Sequence, residues 1–390
     1  MRHLLYLAWQ YLRFNKGKTF VLIGSISLVI FLPAGLYVMI EQGSQTLTAR
    51  AEATPLLIGP QGSASDLTLS ALYFRKPTLK SIAFEQVKHV NESGFAFGIP
   101  LHLRYAVEDQ PIIGTTLDYF DFRGLTVSQG RQIAMLGECV LGAGAASALG
   151  VTVGDHVLST PAGAFDVAGS YPLKMPVVGI LEATATADDE AVFVDLKTTR
   201  VISGLAHGHT DVTQPGAESG VLKREESNVV ANASVLSYTE ITPENLDSFH
   251  FHGNPDSFPV DAVIAVPRDR KSNILLRGRY QEPETAVQML VPLKVIRELL
   301  DTVFVVRDYV VLAGVGVAIV AFGIMALVFA LSIRLRRREI ETIRKIGGAR
   351  QRLLGVLSAE IVIVVATGLG LAAGLTAMVS HYGDLLVRIV

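Results

Sequence analysis

RLRRREIETIRKIGGARQR, residues 334–352, sets eight Lys/Arg against two acids. On its N-terminal side, residues 309–333 (YVVLAGVGVAIVAFGIMALVFALSI) run for 25 positions without a charge, and on its C-terminal side residues 361–380 run for another 20. A helix of roughly 20 apolar residues crosses a bilayer core of about 30 Å, so each run is long enough to span. Short loops rich in Lys and Arg stay on the cytoplasmic side of a membrane. The chain therefore reads as a membrane protein whose basic loop faces the cytoplasm.

The N-terminus agrees. Residues 19–40 (TFVLIGSISLVIFLPAGLYVMI) hold 22 uncharged positions, preceded by Arg2, Arg13, Lys16 and Lys18 and no acid. A cleaved signal peptide has a shorter apolar region of roughly 7–15 residues with small residues close behind it. Here Glu41-Gln42-Gly43 follows a longer run, so a retained anchor is expected, with Pro33 tolerated inside the membrane helix. With the N-terminus inside, the first span exits, the second returns and the third exits again. Of the net charge of −2, residues 1–18 contribute +4 and residues 334–352 contribute +6, leaving −12 for the rest. The bases flank the spans and the acids gather mainly between spans one and two. A basic nucleic-acid footprint is missing elsewhere, which sets nucleic-acid binding aside.

The expected organisation is a three-span α-helical transmembrane bundle with a large α+β extracytoplasmic domain inserted between spans 1 and 2. Its parts are a cytoplasmic segment (1–18), helix 1 (19–40), the extracytoplasmic domain (41–308), helix 2 (309–333), the cytoplasmic basic segment (334–352), helix 3 (353–380) and a tail (381–390). Within 41–308, short apolar runs broken by Gly, Pro and Asp predict strands at 175–181 (MPVVGIL), 191–196 (AVFVDL) and 260–266 (VDAVIAV). Helices are expected at 81–90 and at 139–149, the latter stopped by Gly150, while the polar stretch 204–226 reads as a loop. The single cysteine, Cys139, excludes an internal disulfide.

Catalytic signatures are few. Gly17-Lys18-Thr19 looks like the end of a phosphate-binding loop, but position 12 is Leu where the motif needs Gly, and an apolar span follows. Bases at a membrane boundary explain it better. There is no GxSxG elbow and no HExxH, so the chain is not expected to be an enzyme. Histidine supplies the sharper signal. Two i,i+2 pairs, His207/His209 and His250/His252, each put two imidazoles on one side of an extended strand. Brought together they would suit zinc or copper, with His102, Asp211 and Asp256 as further donors; kept apart they are solvated loop histidines. Glu360, about one turn inside the third span, is an intramembrane acid, read as a functional group or as an interfacial partner of Arg352. Gly314, Gly316 and Gly323 in span two and Gly368, Gly370 and Gly374 in span three predict close helix packing.

Residues 336–360 (RRREIETIRKIGGARQRLLGVLSAE) resemble the cytoplasmic segment of FtsX/MacB-type ABC transporter permeases. Residues 114–131 (GTTLDYFDFRGLTVSQGR) and 137–155 (GECVLGAGAASALGVTVGD), continued by VVGIL at 177–181 and by 189–196, resemble the MacB periplasmic core domain. The resemblance implies a permease subunit of the cell inner membrane, with its N-terminus cytoplasmic and its large domain periplasmic. It implies a separate cytoplasmic ATPase holding ATP-Mg, a second permease copy as homo- or heterodimer, and an adaptor or substrate-binding protein in the periplasm. Mechanotransmission, in export or extraction of an envelope substrate, would then pass through a short amphipathic helix. In it Ile340, Ile343 and Ile346 meet apolar surfaces, while Arg338, Glu339, Glu341, Arg344 and Lys345 face the ATPase, and Gly347-Gly348 end it. Family members usually carry four spans; here the ten residues 381–390, with Asp384 and Arg388, are too short and charged to cross. The alternative expectation is an extracytoplasmic metal- or ligand-sensing module built on the paired histidines.

Overall fold

The long apolar runs become long helices and the interrupted apolar runs become a sheet. A computed structural model describes residues 2–160, 172–208, 221–225, 228–231, 239–280, 286–335, 337–345 and 350–387. It divides into a helical unit, Met1–Thr48 with Glu298–Val390, and a sheet unit, Ala49–Arg297.

The sheet unit is α+β. Its ten-stranded mixed sheet runs in the order Val287–Leu290, Leu56–Pro60, Ala262–Pro267, Ala96–Val107, Gln110–Thr115, Val192–Asp195, Cys139–Leu141, Lys174–Leu181 and Val127–Gly130, with His156–Leu158 also paired to Lys174–Leu181. The pairs Gln110–Thr115/Val192–Asp195 and Cys139–Leu141/Lys174–Leu181 are parallel, and the others are antiparallel. Central strands read as unbroken apolar runs because both faces are covered. All of Leu56–Pro60 is buried, as are Ala262, Val263, Ile264 and Ala265. Two apolar clusters result, one around Ile112, Leu141, Met175 and Val194, the other around Leu56, Ile58, Val263 and Leu276.

The predicted strands at 175–181, 191–196 and 260–266 form as Lys174–Leu181, Val192–Asp195 and Ala262–Pro267. Two expected helices are shorter than expected. In 81–90, Ile82–Ala83 pairs with Pro259–Val260 as a strand and only Glu85–Glu92 is helical. In 139–149, Cys-Val-Leu fills a fully buried place between two strands, and the helix Ala143–Leu149 starts only after Gly142. Gly150 ends that helix at φ +65°, as its sequence position suggested. The stretch 204–226 is not all loop: Ala206–Gly208 is a strand, and Val221–Glu225 forms a hairpin with Asn228–Ala231. Burial raises the Cys139 thiol pKa well above its ordinary range, which leaves it an inert core side chain.

In the helical unit, Lys16–Glu52, Pro292–Leu335 and a stretch of Arg350–Val387 are long and apolar enough to cross a membrane. Large apolar side chains such as Leu312, Ile319 and Leu327 are exposed, while Ile26, Met325, Phe329 and Val364 are buried in a cluster between the helices. Of the six glycines singled out, two sit at helix crossings. A Cβ on Gly314 would meet Pro33 at 3.1 Å, and one on Gly368 would meet Ile26 at 2.8 Å; the other four have open space. Residues 1–18, read only as a cytoplasmic segment, contain a helix, Arg2–Phe14, that packs on Arg350–Val387 with Ala8 and Leu12 buried and Tyr6, Trp9 and Phe14 exposed. The helix Arg350–Val387 also continues into the expected tail.

One buried charge network organises the sheet unit. Arg50, in the last turn of Lys16–Glu52, donates from Nη1 to Asp188 Oδ2 (2.6 Å), from Nη2 to Asp188 Oδ1 (3.0 Å) and Tyr119 OH (3.1 Å), and from Nε to the Leu72 carbonyl. Tyr119 OH donates to Asp188 Oδ1 at 2.7 Å. Asp188 sits on the 3₁₀ turn Ala187–Glu190, which presses so closely on Gly142 that a Cβ there would lie 2.2 Å from the Asp188 carbonyl oxygen. Burial would push the Asp188 carboxyl up, but hydrogen bonds and charge from Arg50 hold it below the usual range. Burial raises the Tyr119 phenol to about 12, so it stays a donor.

Removing one partner of a buried ion pair strands the other, at a cost of about 3–5 kcal/mol. Arg50→Ala is expected to lower the unfolding free energy of the sheet unit by that amount, read by denaturant titration of the full-length chain. The depressed Asp188 pKa contributes stability that is present above the unfolded aspartate value of about 3.9 and is lost as pH falls through the folded value. The unfolding temperature should accordingly drop below about pH 4, and less steeply in Asp188→Asn. Gly368→Leu should separate the helices at Ile26 and lower detergent stability by about 1–3 kcal/mol, whereas Gly370→Leu, with open space around it, should not.

Candidate functional site

Strand alternation brings the histidines together. Ala206–Gly208 pairs antiparallel with Phe249–Phe251 in the register Ala206↔Phe251, His207↔His250 and Gly208↔Phe249. The His252 amide donates to the Leu205 carbonyl at 2.9 Å and carries the pairing one step further. His207 and His250 are thus directly opposite, and His252, two residues on, shares the face of His250. The ring centroids lie 5.1 Å (His207–His250), 4.6 Å (His207–His252) and 4.7 Å (His250–His252) apart. His207 Nε2 and His252 Nε2 are 3.3 Å apart. One ring nitrogen from each of the three lies within 4.8 Å of the others. His207 is half-buried and the other two are exposed.

His250 Nδ1 lies 3.1 Å from the Ser248 carbonyl oxygen. A carbonyl only accepts, so Nδ1 is the donor of that contact. His209 and Asp211 lie outside the described residues. His102 is buried in the strand Ala96–Val107, stacked on Tyr105, with its imidazole pKa pushed down by burial. Asp256 is ion-paired with Lys88. Among the described residues, therefore, the cluster consists of three imidazoles and no carboxylate.

The opposite face of the same strand pair carries Phe249 and Phe251. A Cβ on Gly208 would lie 2.7 Å from the Phe249 ring, so glycine makes room for it. Both phenylalanines line a cleft of about 390 Å³ with Thr115, Thr116, Phe120 and Met135. The strand pair thus has a nitrogen-donor face and an aromatic, cleft-lining face.

The expected coupling residues fall on the helix Arg337–Lys345, which holds Arg338, Glu339, Ile340, Glu341, Ile343, Arg344 and Lys345. Arg338, Glu341 and Lys345 are exposed. Ile346, Gly347 and Gly348 lie outside the described residues. Glu360 is buried on Arg350–Val387, within electrostatic reach of Lys18, whose ammonium also lies 5.4 Å from the Phe329 ring centroid. Lys18, read from the sequence only as a boundary base, is a charge neighbour of Glu360 that no sequence spacing announces. The Arg50–Asp188 pair was missed for the same reason, its members standing 138 positions apart.

A family model described as the MacB-like periplasmic core domain matches residues 19–233. Solved structures similar to the chain include the periplasmic region of MacB from Actinobacillus actinomycetemcomitans, at 10% identity over 64% of this chain and 94% of that one, with a TM-score of 0.35. The extracellular domain of the noncanonic ABC-type transporter YknZ from Gram-positive bacteria gives 12% identity, 60% and 98% coverage and a TM-score of 0.32. A domain of a putative permease protein from Porphyromonas gingivalis gives 12%, 60%, 86% and 0.27. With TM-scores below 0.5, these structural likenesses decide nothing further about the chain. No curated protein matches it.

Proposed function

Because the chain belongs to the family defined by the MacB-like periplasmic core domain, we propose that it is the permease subunit of an ABC transporter, coupling ATP hydrolysis by a separate cytoplasmic ATPase to movement of its sheet unit. The observation that carries this reading is the family match itself, which begins at the first apolar helix and runs through most of the sheet unit. Three apolar helices of spanning length support membrane residence. The bias of Lys and Arg toward residues 1–18 and 334–352 supports an inner-membrane topology with both segments in the cytoplasm and the sheet unit outside.

In this reading the chain contributes no catalytic group. The ATP-Mg chemistry belongs to the partner, and this chain supplies the surface that feels it. The helix Arg337–Lys345 offers exposed Arg338, Glu341 and Lys345 to a groove of mixed charge. Nucleotide-driven closure of a paired ATPase would shift this helix, and the rigid apolar helices would carry the shift. Within the sheet unit, Arg50 is buried with Asp188 and Tyr119 and anchors the last turn of Lys16–Glu52. A second permease copy would balance the two halves of an ATPase dimer, and a periplasmic adaptor or substrate-binding protein would meet the sheet unit.

Affinity capture of the full-length chain from its native membrane, followed by identification of the co-purifying proteins, tests this reading. A stoichiometric cytoplasmic ATPase is expected. The double variant Arg338→Glu with Arg344→Glu should abolish its recovery while membrane insertion stays normal. Recovery of the ATPase unchanged by both charge reversals would remove the coupling helix from the mechanism.

A further inference from the structure

We propose that His207, His250 and His252 bind one divalent transition-metal ion, zinc in the first instance, through three imidazole nitrogens. Zinc–imidazole bonds of about 2.0–2.1 Å at a tetrahedral angle place two donor nitrogens about 3.3 Å apart. His207 Nε2 and His252 Nε2 stand at 3.3 Å. The third donor lies within 4.8 Å of both, and His250 is exposed, so a small side-chain rotation brings it in.

Two further features point the same way. The Ser248 carbonyl oxygen lies 3.1 Å from His250 Nδ1 and orients that ring; metal-binding histidines commonly use such a partner. The donor set is all imidazole among the described residues, which selects zinc, copper or nickel over magnesium or calcium. Three protein ligands leave a fourth position for water or for a group on an incoming molecule.

The ion has a mechanical consequence. Strands of three residues are marginal as an isolated pair. A metal bridging His207 and His252, 45 positions apart, would fasten this pair where its few backbone hydrogen bonds do little. The same fastening holds Phe249 and Phe251, on the far face, as a fixed wall of the cleft beside Thr115 and Phe120. The site is a property of the sheet unit and holds whether or not an ATPase is engaged.

The test uses the full-length chain in detergent, free of any polyhistidine tag. Equilibrium dialysis against zinc chloride with elemental analysis should return one zinc per chain, and magnesium should not compete. Cobalt(II) in its place should give the visible bands of a tetrahedral centre. His250→Ala and His252→Ala should each weaken zinc binding by more than the ~10–100-fold that loss of an outer-sphere partner costs. His89→Ala, on the surface of the helix Glu85–Glu92, should bind as the wild type does. Zinc should raise the unfolding temperature of the wild type and of His89→Ala but not of the His250→Ala/His252→Ala double variant. The proposal is overturned if wild type retains no zinc or shows no tetrahedral cobalt bands, or if the double variant keeps one zinc at unchanged affinity. The cobalt spectrum of the wild type decides by itself should either alanine variant fail to fold.

Discussion

A carboxylate and a guanidinium are buried against each other inside the sheet unit, and much else in that unit is arranged to permit it. Arg50 and Asp188 are each almost wholly removed from water. Such a pair is tolerable only when nearly every polar atom is matched. Tyr119 OH, the Leu72 carbonyl and the Thr186 hydroxyl complete the matching. The turn that bears Asp188 reaches its place only because Gly142 carries no side chain; a Cβ there would meet the Asp188 and Asp189 carbonyl oxygens at 2.2 and 2.3 Å. The next residue, Asp189, spends its two oxygens on the Thr184 and Ala185 amides and holds the approach to the turn. Sequence, backbone geometry and charge are thus settled together at one place.

The parts of this architecture that were legible in the sequence are those written in periodicity or in local chemistry. MPVVGIL and VDAVIAV are short apolar runs bounded by turn residues, and they are strands. Gly150 stops a helix because a left-handed backbone suits it. The two HxH pairs were legible as donors on a common face, while the meeting of His207 with His250 and His252 depended on a register that only the folded chain sets. Cys139-Val140-Leu141 was misread because a short apolar run adjoining a helix has no period of its own; its neighbours in the sheet decide its state. Ile82–Ala83 is a strand for the same reason, its pairing with Pro259–Val260 being unreadable from either segment alone. The N-terminal helix carries a local signal of its own: Ala8 and Leu12, four residues apart, form its buried stripe.

The family relationship, the apolar helices and the basic segment converge on a permease, whereas the histidine cluster arises from a strand pair at the end of the matched region and beyond. The three imidazoles come from both sides of that boundary, since His207 lies within residues 19–233 while His250 and His252 follow it. A general transport scaffold and a particular ion-binding feature are compatible on one chain, because chemistry is added to a fold at individual sites rather than dictated by it.

The lone cysteine has a quieter consequence. Cys139 is sealed between strands of the sheet with its thiol against the Met175 and Pro176 carbonyls. A sheet unit with one cysteine, and that one shielded, has no disulfide to shuffle within it while it is folded. Its maturation calls on no thiol exchange within the unit, and thiol-directed oxidants find no handle on it until the strands part.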